Sequence, residues 1–308
     1  ARRHALAEAR ADLRRRVRKA WLERFYIDRA LGVVRANLEL FDELLAIAGS
    51  QYRVGQGLQQ DVLLAELERD KLRDRRAELR RKRSEADARL AALLGTGGGG
   101  FELPDTLPEL PPLPDRQALL DGLADHPRLE ALRARTAKGR SGVALARTET
   151  GPAMGVDLIY GHRPGSAPGG GDWPDLLTAR FRMSLPGLNP VRQEADVEQA
   201  AAEADTARRR LASERRKLTR MVRSQWAARE RARERARLYD DTILPGSEQT
   251  VASAEAAYTT GKLDFLDLVR ARIEAFEHRL KRWRLRVDAR QARADLLYLA
   301  TAAEESQP

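Results

Sequence analysis

Residues 52–65 read Y-R-V-G-Q-G-L-Q-Q-D-V-L-L-A, and residues 258–271 read Y-T-T-G-K-L-D-F-L-D-L-V-R-A. The match continues past both stretches in one unbroken register. Its identical pairs include Tyr52 and Tyr258, Gly55 and Gly261, Asp61 and Asp267, Ala65 and Ala271, Arg73 and Arg279, Leu79 and Leu285, Ala86 and Ala292, Leu90 and Leu296, and Leu93 and Leu299. Such a match indicates two copies of one structural unit, and an internal repeat guides a fold prediction better than any local motif. We predict that each unit is a long helix, a tight turn at Tyr-x-x-Gly and a long returning helix.

The composition favours long helices over a compact globular core. Of the 308 residues, 33% are charged and only 5% are aromatic, which suits helices that bury a narrow seam. The absence of cysteine excludes disulfides and thiolate metal sites, and the four histidines lack ligand spacing. No run approaches the roughly 18 apolar residues of a membrane helix.

The net charge of +10 comes almost entirely from arginine and raises the possibility of nucleic-acid binding. However, residues 69–85 read R-D-K-L-R-D-R-R-A-E-L-R-R-K-R-S-E, where basic and acidic residues alternate. This pattern is typical of a solvated helix face with ion pairs one turn apart. We therefore predict no nucleic-acid partner.

Two helices are predicted in the first copy. The first ends near Ala48 and carries an apolar seam with alternating spacings of four and three residues, broken only by Arg24. The second runs from about Gln59 to Leu94, and arginines occupy alternate positions of its seam. Such a seam predicts neighbours on two sides of the helix.

The second copy is preceded by a linker, a further helical stretch and two strands. Gly95–Gly100 ends the second helix, and a proline-rich connector follows. We expect a helix over residues 116–150 with an interruption at His126-Pro127. The long helix that begins near Val191 runs to about Ala257, with a kink predicted at Pro245-Gly246. Since the first helix lacks about fifteen residues of its repeat partner, we expect the sequence to begin inside the first unit.

The strand candidates are residues 155–162 and 178–185, which flank a Gly- and Pro-rich loop. The residues predicted to share one apolar face are Val156, Leu158, Tyr160, Ala179, Phe181, Met183 and Leu185. Alternation alone also fits an ordinary half-buried hairpin. With long helices on both sides and no second sheet, however, this hairpin has only copies of itself to close it, as in a membrane β-barrel.

Short motifs occur along the chain: the two Tyr-x-x-Gly turns, D-H-P-R-L-E-A-L from Asp125, T-G-P from Thr150, S-L-P from Ser184 and L-P-G-S-E from Leu244. On these motifs the chain resembles the TolC-type outer-membrane efflux family. Its L-P-G-L-N-P-V-R segment from Leu185 resembles the branch serving heavy-metal and drug pumps of the resistance-nodulation-division type. The resemblance implies a mainly α fold: two repeats of coiled-coil helical hairpins forming an α-barrel, with a β-hairpin in a trimeric transmembrane β-barrel. The implied divisions are residues 1–95 (first helical hairpin), 96–115 (linker), 116–150 (helix of the second repeat), 151–190 (β-hairpin) and 191–308 (second helical hairpin).

The family resemblance also implies a function and partners. The chain is expected to form a homotrimer in the Gram-negative outer membrane, mostly in the periplasm, as a passive exit duct for drugs or metal ions. Its expected partners are outer-membrane lipid, a periplasmic adaptor and an inner-membrane pump. The implied docking turns are Tyr52, Arg53, Val54, Gly55, Tyr258, Thr259, Thr260 and Gly261. The implied aperture residues are Asp61 and Asp267, and Arg270 stands where some members carry a second aspartate.

Several alternatives remain open from the sequence. Tyr52 and Tyr258 are at least as well explained by packing of the turns, and Asp61 and Asp267 by helix capping. No carboxylate pair, activated nucleophile, phosphate loop or metal cluster is recognisable, so we predict no enzyme activity, cofactor or metal. A periplasmic adaptor would need β-rich segments around one helical hairpin. A soluble coiled-coil scaffold would have no use for an apolar strand pair.

Overall fold

The computed structural model describes residues 2–98, 100–149, 151–165, 169–170, 173–184 and 190–300. These residues are mainly helical and include one antiparallel strand pair, which confirms the predicted fold class. In chain order the elements are α1 (Arg2–Arg53), α2 (Gln59–Leu94), α3 (Arg116–Gly122), a 3-10 turn (Leu123–Asp125), α4 (Pro127–Thr148), β1 (Ala153–Gly161), β2 (Leu176–Ser184), α5 (Pro190–Leu238), a π turn (Tyr239–Ile243), α6 (Leu244–Thr259) and α7 (Phe265–Leu299).

One compact unit spans residues 128–216 and contains most of α4, the strand pair and the first part of α5. Its two helices approach closely at Gly139, where a Cβ atom would lie 3.0 Å from the Cα atom of Ala204. Arg128 and Glu214 form an ion pair of 2.9 Å between the same helices. A side chain at position 139 would therefore require the two helix backbones to move apart by a few tenths of an ångström.

The strand pair has the predicted facing but different bounds. Val156 lies opposite Phe181, Leu158 opposite Ala179 and Met154 opposite Met183, so these side chains share one face. Both strands begin two residues earlier than predicted, because the ladder runs from the pair Ala153 and Ser184 to the pair Gly161 and Leu176. The start of β2 was not predicted because Leu176 and Leu177 are both apolar and so break the alternation of apolar and polar residues. Leu185 lies outside the described residues.

The other compact unit contains α1, α2, α3, the end of α5, α6 and α7. Its main apolar cluster joins α1, α2 and α7, and its largest buried members are Val34, Leu38, Phe41, Leu44, Leu72, Leu79, Phe265, Leu268, Val269, Phe276 and Leu280. Burial of each such side chain contributes about 1.5–3 kcal/mol. The predicted seam of α1 supplies Val34, Leu38 and Phe41.

The charged break in the seam of α1 is a buried ion-pair site. The Arg24 side chain is fully buried, and its Nε atom donates to Oδ1 of Asp87 at 2.6 Å. It also pairs with Asp28 one turn along α1. Because an unpaired buried charge is strongly destabilising, these two carboxylates explain how an arginine occupies a core position.

The helix bounds correct three details of the sequence prediction. Helix α1 continues to Arg53 rather than Ala48, since nothing interrupts its hydrogen bonds before Gly55. The long helix continues to Thr259 rather than Ala257. Its irregularity is the π turn Tyr239–Ile243, which ends two residues before Pro245. A π turn relieves the clash of a proline ring with the carbonyl four residues earlier, because that carbonyl lies in the widened segment.

The proline-rich linker is docked along helices. Leu103 and Leu107 pack against the apolar cluster of Leu22, Phe25 and Val287. Trp21 stacks on Phe25 at 5.5 Å, and Trp283 meets the same ring edge-on at 5.9 Å. Trp21 and Trp283 therefore have packing roles.

Candidate functional site

The predicted docking site begins with the turn between α1 and α2. Gly55 has a φ of +74°, and its N–H donates to the carbonyl of Tyr52 at 3.1 Å. The N–H of Gln56 reaches back to the carbonyl of Gln51 at 2.9 Å. This pair of hydrogen bonds is the Schellman arrangement, in which a left-handed glycine ends a helix.

The turn between α6 and α7 has the same backbone geometry. Gly261 has a φ of +68°, and its N–H donates to the carbonyl of Tyr258 at 3.0 Å. The N–H of Lys262 donates to the carbonyl of Ala257 at 2.9 Å. Each of these donors and acceptors is the repeat equivalent of one in the first turn. The sequence repeat is therefore a repeat of hydrogen bonding as well.

The two turns differ in the residue two positions after the left-handed glycine and in their side-chain hydrogen bonds. A Cβ atom on Gly57 would lie 2.9 Å from the Cβ of Gln51, so the first turn needs glycine here for space as well. The second turn has Leu263 at this position. There the hydroxyls of Thr259 and Thr260 donate to carbonyls of the preceding helical turn, at 2.6 Å to Glu255 and 3.1 Å to Ala257.

The structure brings the two turns side by side. The Tyr258 hydroxyl donates to Oε1 of Gln51 at 2.6 Å, and its ring lies 5.6 Å from that of Phe265. Burial raises the pKa of Tyr258, the charge of nearby Asp61 raises it further, and the bond to Gln51 opposes this shift. Gln51 was missed by the sequence analysis because the repeat places alanine, Ala257, at the equivalent position.

The first turn presents an apolar surface. Tyr52 is 47% exposed, and Val54 and Leu58 are each 66% exposed. Arg53, Gly55, Thr259, Thr260 and Gly261 are exposed as well, whereas Tyr258 is partly buried. Tyr258 thus packs between the two turns, whereas about half of the Tyr52 side chain remains exposed.

The predicted aperture residues lie in the first turns of α2 and α7. The N-caps are Leu58 and Asp264, and neither makes a side-chain capping bond, so Asp61 and Asp267 are not the caps. Their negative charges still interact favourably with the positive N-terminal end of each helix dipole. Arg270 Nη1 donates to Oδ1 of Asp267 at 3.1 Å in an exposed ion pair. Because Leu64 stands at the repeat equivalent of Arg270, this pair belongs to the second repeat.

The strand pair exposes its whole apolar face. The exposed side chains on this face are Met154, Val156, Leu158, Tyr160, Leu177, Ala179, Phe181 and Met183. On the opposite face Arg182 donates to Oδ2 of Asp157 at 2.7 Å across the strands. One face is thus apolar and unpaired, and the other carries paired charges.

Two features are absent from the described part of the chain. No three His, Asp or Glu side chains in the described ranges lie close enough together to hold a metal ion. None of the helices within those ranges combines the length and the apolar character required to cross a membrane.

Long helical hairpins in two repeats, with an exposed apolar β-hairpin, define a channel subunit. Residues 120–301 match the family described as outer membrane efflux protein. This match covers more than half of the chain, so the chain belongs to that family and forms part of an outer-membrane efflux duct. The resemblance to the TolC-type family is confirmed, and an adaptor or a soluble scaffold is not favoured.

Solved structures share the fold. The outer-membrane channel OprN superposes with a TM-score of 0.87 at 18% identity, covering 97% of this chain and 68% of OprN. VceC from Vibrio cholerae gives 0.84 at 18% identity over 97% of this chain and 72% of VceC. The open state of MtrE from Neisseria gonorrhoeae gives 0.81 at 18% identity over 97% and 68%. Comparison with curated proteins gave no significant match.

Proposed function

We propose that this chain assembles as a homotrimer that forms the passive exit duct of a tripartite efflux system. In this system an inner-membrane pump and a periplasmic adaptor deliver drugs or metal ions to the duct. The observation that carries the proposal is the packing of α7 in the second repeat against α1 in the first. The equivalent side chains of α2 in the first repeat remain exposed in the single chain.

Within the chain, α7 of the second repeat packs against α1 of the first. Val269, which is almost fully buried, belongs to the cluster they share, and Ile273 packs against that cluster. The repeat equivalents of these residues on α2 are Leu63 and Leu67. They are 56% and 54% exposed among the residues that the structure describes, whereas Val269 at the equivalent position on α7 is almost fully buried.

The repeat also identifies what covers this face. The C-terminal part of α1, whose Leu38, Phe41 and Leu44 share an apolar cluster with Val269, corresponds to α6 in the second repeat. We therefore assign α6 of a second copy as the neighbour of α2. Since every copy offers one such face and one such helix, the contact is heterologous and closes into a ring. Three copies follow from the family resemblance.

The β-hairpin supplies the membrane part of the proposed assembly. Backbone groups at strand edges must be paired in lipid, so the strands have to join those of other copies in a closed barrel. The apolar face from Val156 to Met183 would then contact lipid, with Asp157 and Arg182 toward water. This places residues 151–190 in the outer membrane and the helices in the periplasm of a Gram-negative bacterium.

The turns are proposed to dock the adaptor and to surround the aperture. The exposed Tyr52, Val54 and Leu58 provide an apolar contact surface that the rigid glycine turns hold in place. Asp61, Asp267 and Arg270 would line the opening. Passive conduction requires no catalytic group or cofactor, in accord with a family of channels.

Cysteine labelling tests the proposed contact, because the sequence contains no native cysteine. In a Leu63→Cys variant of the full-length protein, we expect maleimide to label dissociated chains at least tenfold faster than assembled ones. Ser50→Cys, on the exposed end of α1, is the control that reports general access near the turns. Equal labelling of Leu63→Cys in both states would remove the contact on which the proposal depends.

A further inference from the structure

A ladder of ion pairs joins α7 to the helix before it. Arg279 Nη2 lies 3.1 Å from Oε1 of Glu248, and Arg272 pairs with Glu255 in the same way. The next rung is the strongest, since Arg286 donates from Nη2 to both carboxylate oxygens of Asp240 at 2.8 and 2.9 Å. The three arginines follow one another at intervals of seven residues along α7.

The acidic partners do not follow the same interval. Glu255 and Glu248 are seven residues apart, but Glu248 and Asp240 are eight apart. The π turn Tyr239–Ile243 contains Asp240 and accommodates one extra residue in a helical turn. It therefore keeps the carboxylate of Asp240 within reach of Arg286.

The fourth rung has no acid. Seven residues after Arg286 lies Arg293, and seven residues before Asp240 lies Arg233, which is also basic. Burial lowers the pKa of Arg293, and repulsion from Arg229, Arg290 and Arg233 lowers it further. Arg293 itself donates to the carbonyl of linker residue 110 at 2.9 Å. This rung thus concentrates positive charge where the preceding rungs place a carboxylate.

A cavity of about 380 Å³ opens beside this rung. Its walls come from α5 and the π turn, from α7 and from the linker, and its lining includes Arg233, Arg237, Arg286, Arg290, Asp105 and Asp240. Both carboxylates are already engaged, Asp240 by Arg286 and Asp105 by Arg29 at 2.6 Å. Arg233 and Arg237 form no ion pair or hydrogen bond with any residue that the structure describes.

We propose that this basic cavity binds a small polyvalent oxyanion, whose carboxylate or phosphate oxygens supply the missing acid of the fourth rung. Arg233 and Arg237 lie one helical turn apart and offer two planar guanidinium groups to one anion. Such groups bind carboxylate and phosphate through paired hydrogen bonds. Arg290 uses one donor on the linker carbonyl of Pro108 and retains others for the anion.

The apolar part of the wall restricts the class of anion further. Ala236, Ala289 and Leu107 contribute methyl groups, and Trp283 contributes ring atoms beside the arginines. A cavity of this size accommodates a compact organic anion such as citrate, as well as inorganic phosphate. The linker forms one wall, so a bound anion would also hold the linker against the helices.

The test measures thermal unfolding of the full-length protein in detergent with citrate or inorganic phosphate, against sodium chloride of equal ionic strength. We expect either anion to raise the Tm of the wild type by a few degrees. The Arg233→Glu variant supplies its own carboxylate, so its Tm without anion should exceed that of the wild type and its anion response should disappear. Arg235→Glu makes the same charge change at an exposed position outside the cavity and should respond as the wild type does.

Calorimetric titration of citrate and phosphate gives an independent reading. We expect at least tenfold weaker binding to Arg233→Glu and to Arg237→Gln, the second variant serving if the first does not fold. A response restricted to dioctanoyl phosphatidic acid would assign the phosphate to a lipid headgroup instead of a free solute. Absence of any anion-specific response in the wild type, or an equal response in Arg233→Glu and Arg235→Glu, would overturn the proposal.

Discussion

The hydroxyl of Tyr258 donates a 2.6 Å hydrogen bond to the side-chain oxygen of Gln51 and thereby joins the turn of the second repeat to that of the first. Tyr52, its repeat equivalent, is about half exposed. The two copies thus have the same backbone turn but use their tyrosines differently: Tyr258 ties the turns together, and Tyr52 faces outward.

Removing the hydroxyl of Tyr258 should destabilise the protein, whereas removing that of Tyr52 should not. Tyr258→Phe deletes a side-chain hydrogen bond, which contributes about 0.5–1.5 kcal/mol, and should lower the Tm by about 2 °C. Tyr52→Phe is the matched control at the equivalent position and should leave the Tm unchanged. Equal shifts for the two variants would show that the hydrogen bond to Gln51 does not stabilise the turns.

Alkaline pH should loosen the same contact. The pKa of Tyr258 lies above its ordinary value of about 10, so the folded state favours the neutral phenol. The contribution to stability is therefore complete below pH 10 and is lost as pH rises through the higher pKa of the folded state. The difference in ultraviolet titration between wild type and Tyr258→Phe should show a midpoint above that of free tyrosine. A midpoint at or below 10 would contradict this prediction.

The left-handed glycines should be essential for docking. Replacing Gly55 or Gly261 with Val places a branched side chain at positive φ, at a cost of roughly 1–2 kcal/mol or more. Crosslinking to the adaptor and drug export should both fall while the trimer still assembles. Gly32→Val, in the exposed middle of α1 with open space around its Cβ, should change neither. Wild-type crosslinking by the Gly55 or Gly261 variants would exclude the turns as the docking site.

The exposed ion pair of Asp267 and Arg270 should restrain the aperture. One such pair contributes only ~0–1 kcal/mol, but symmetric copies act together in a ring. Alanine at both positions should raise single-channel conductance in planar bilayers with the adaptor absent. The matched control is alanine at Asp70 and Arg73, an exposed pair of similar length, 3.0 Å, on α2 and away from the turns. Unchanged conductance in correctly assembled Asp267 and Arg270 variants would show that this ion pair does not restrain the aperture.

The sequence predicted the repeat, the long helices and the facing of the hairpin because each of these is periodic. The spacing of Tyr52 and Tyr258 from their glycines identified both turns, and alternation identified the apolar face that includes Val156 and Phe181. Periodic signals report which residues share a face, and here they sufficed for the fold.

Other features depend on single contacts that leave no periodic signal. The π turn shifts one residue, and only the pairing of Asp240 with Arg286 shows why. Arg24 looked like a defect in the seam because its partner Asp87 is distant in sequence. The docking of the linker on the helices was not predicted, because Arg290 and Arg293 bind its backbone carbonyls, which carry no residue-specific pattern.

Electron microscopy of the full-length protein in detergent tests the central claim most directly, since a duct must enclose a lumen. We predict class averages of a hollow cylinder with three-fold symmetry, in which the α2 face around Leu63 and Leu67 is covered by α6 of the adjacent copy. Single chains, or particles of other symmetry without a continuous lumen, would contradict the proposed homotrimeric exit duct.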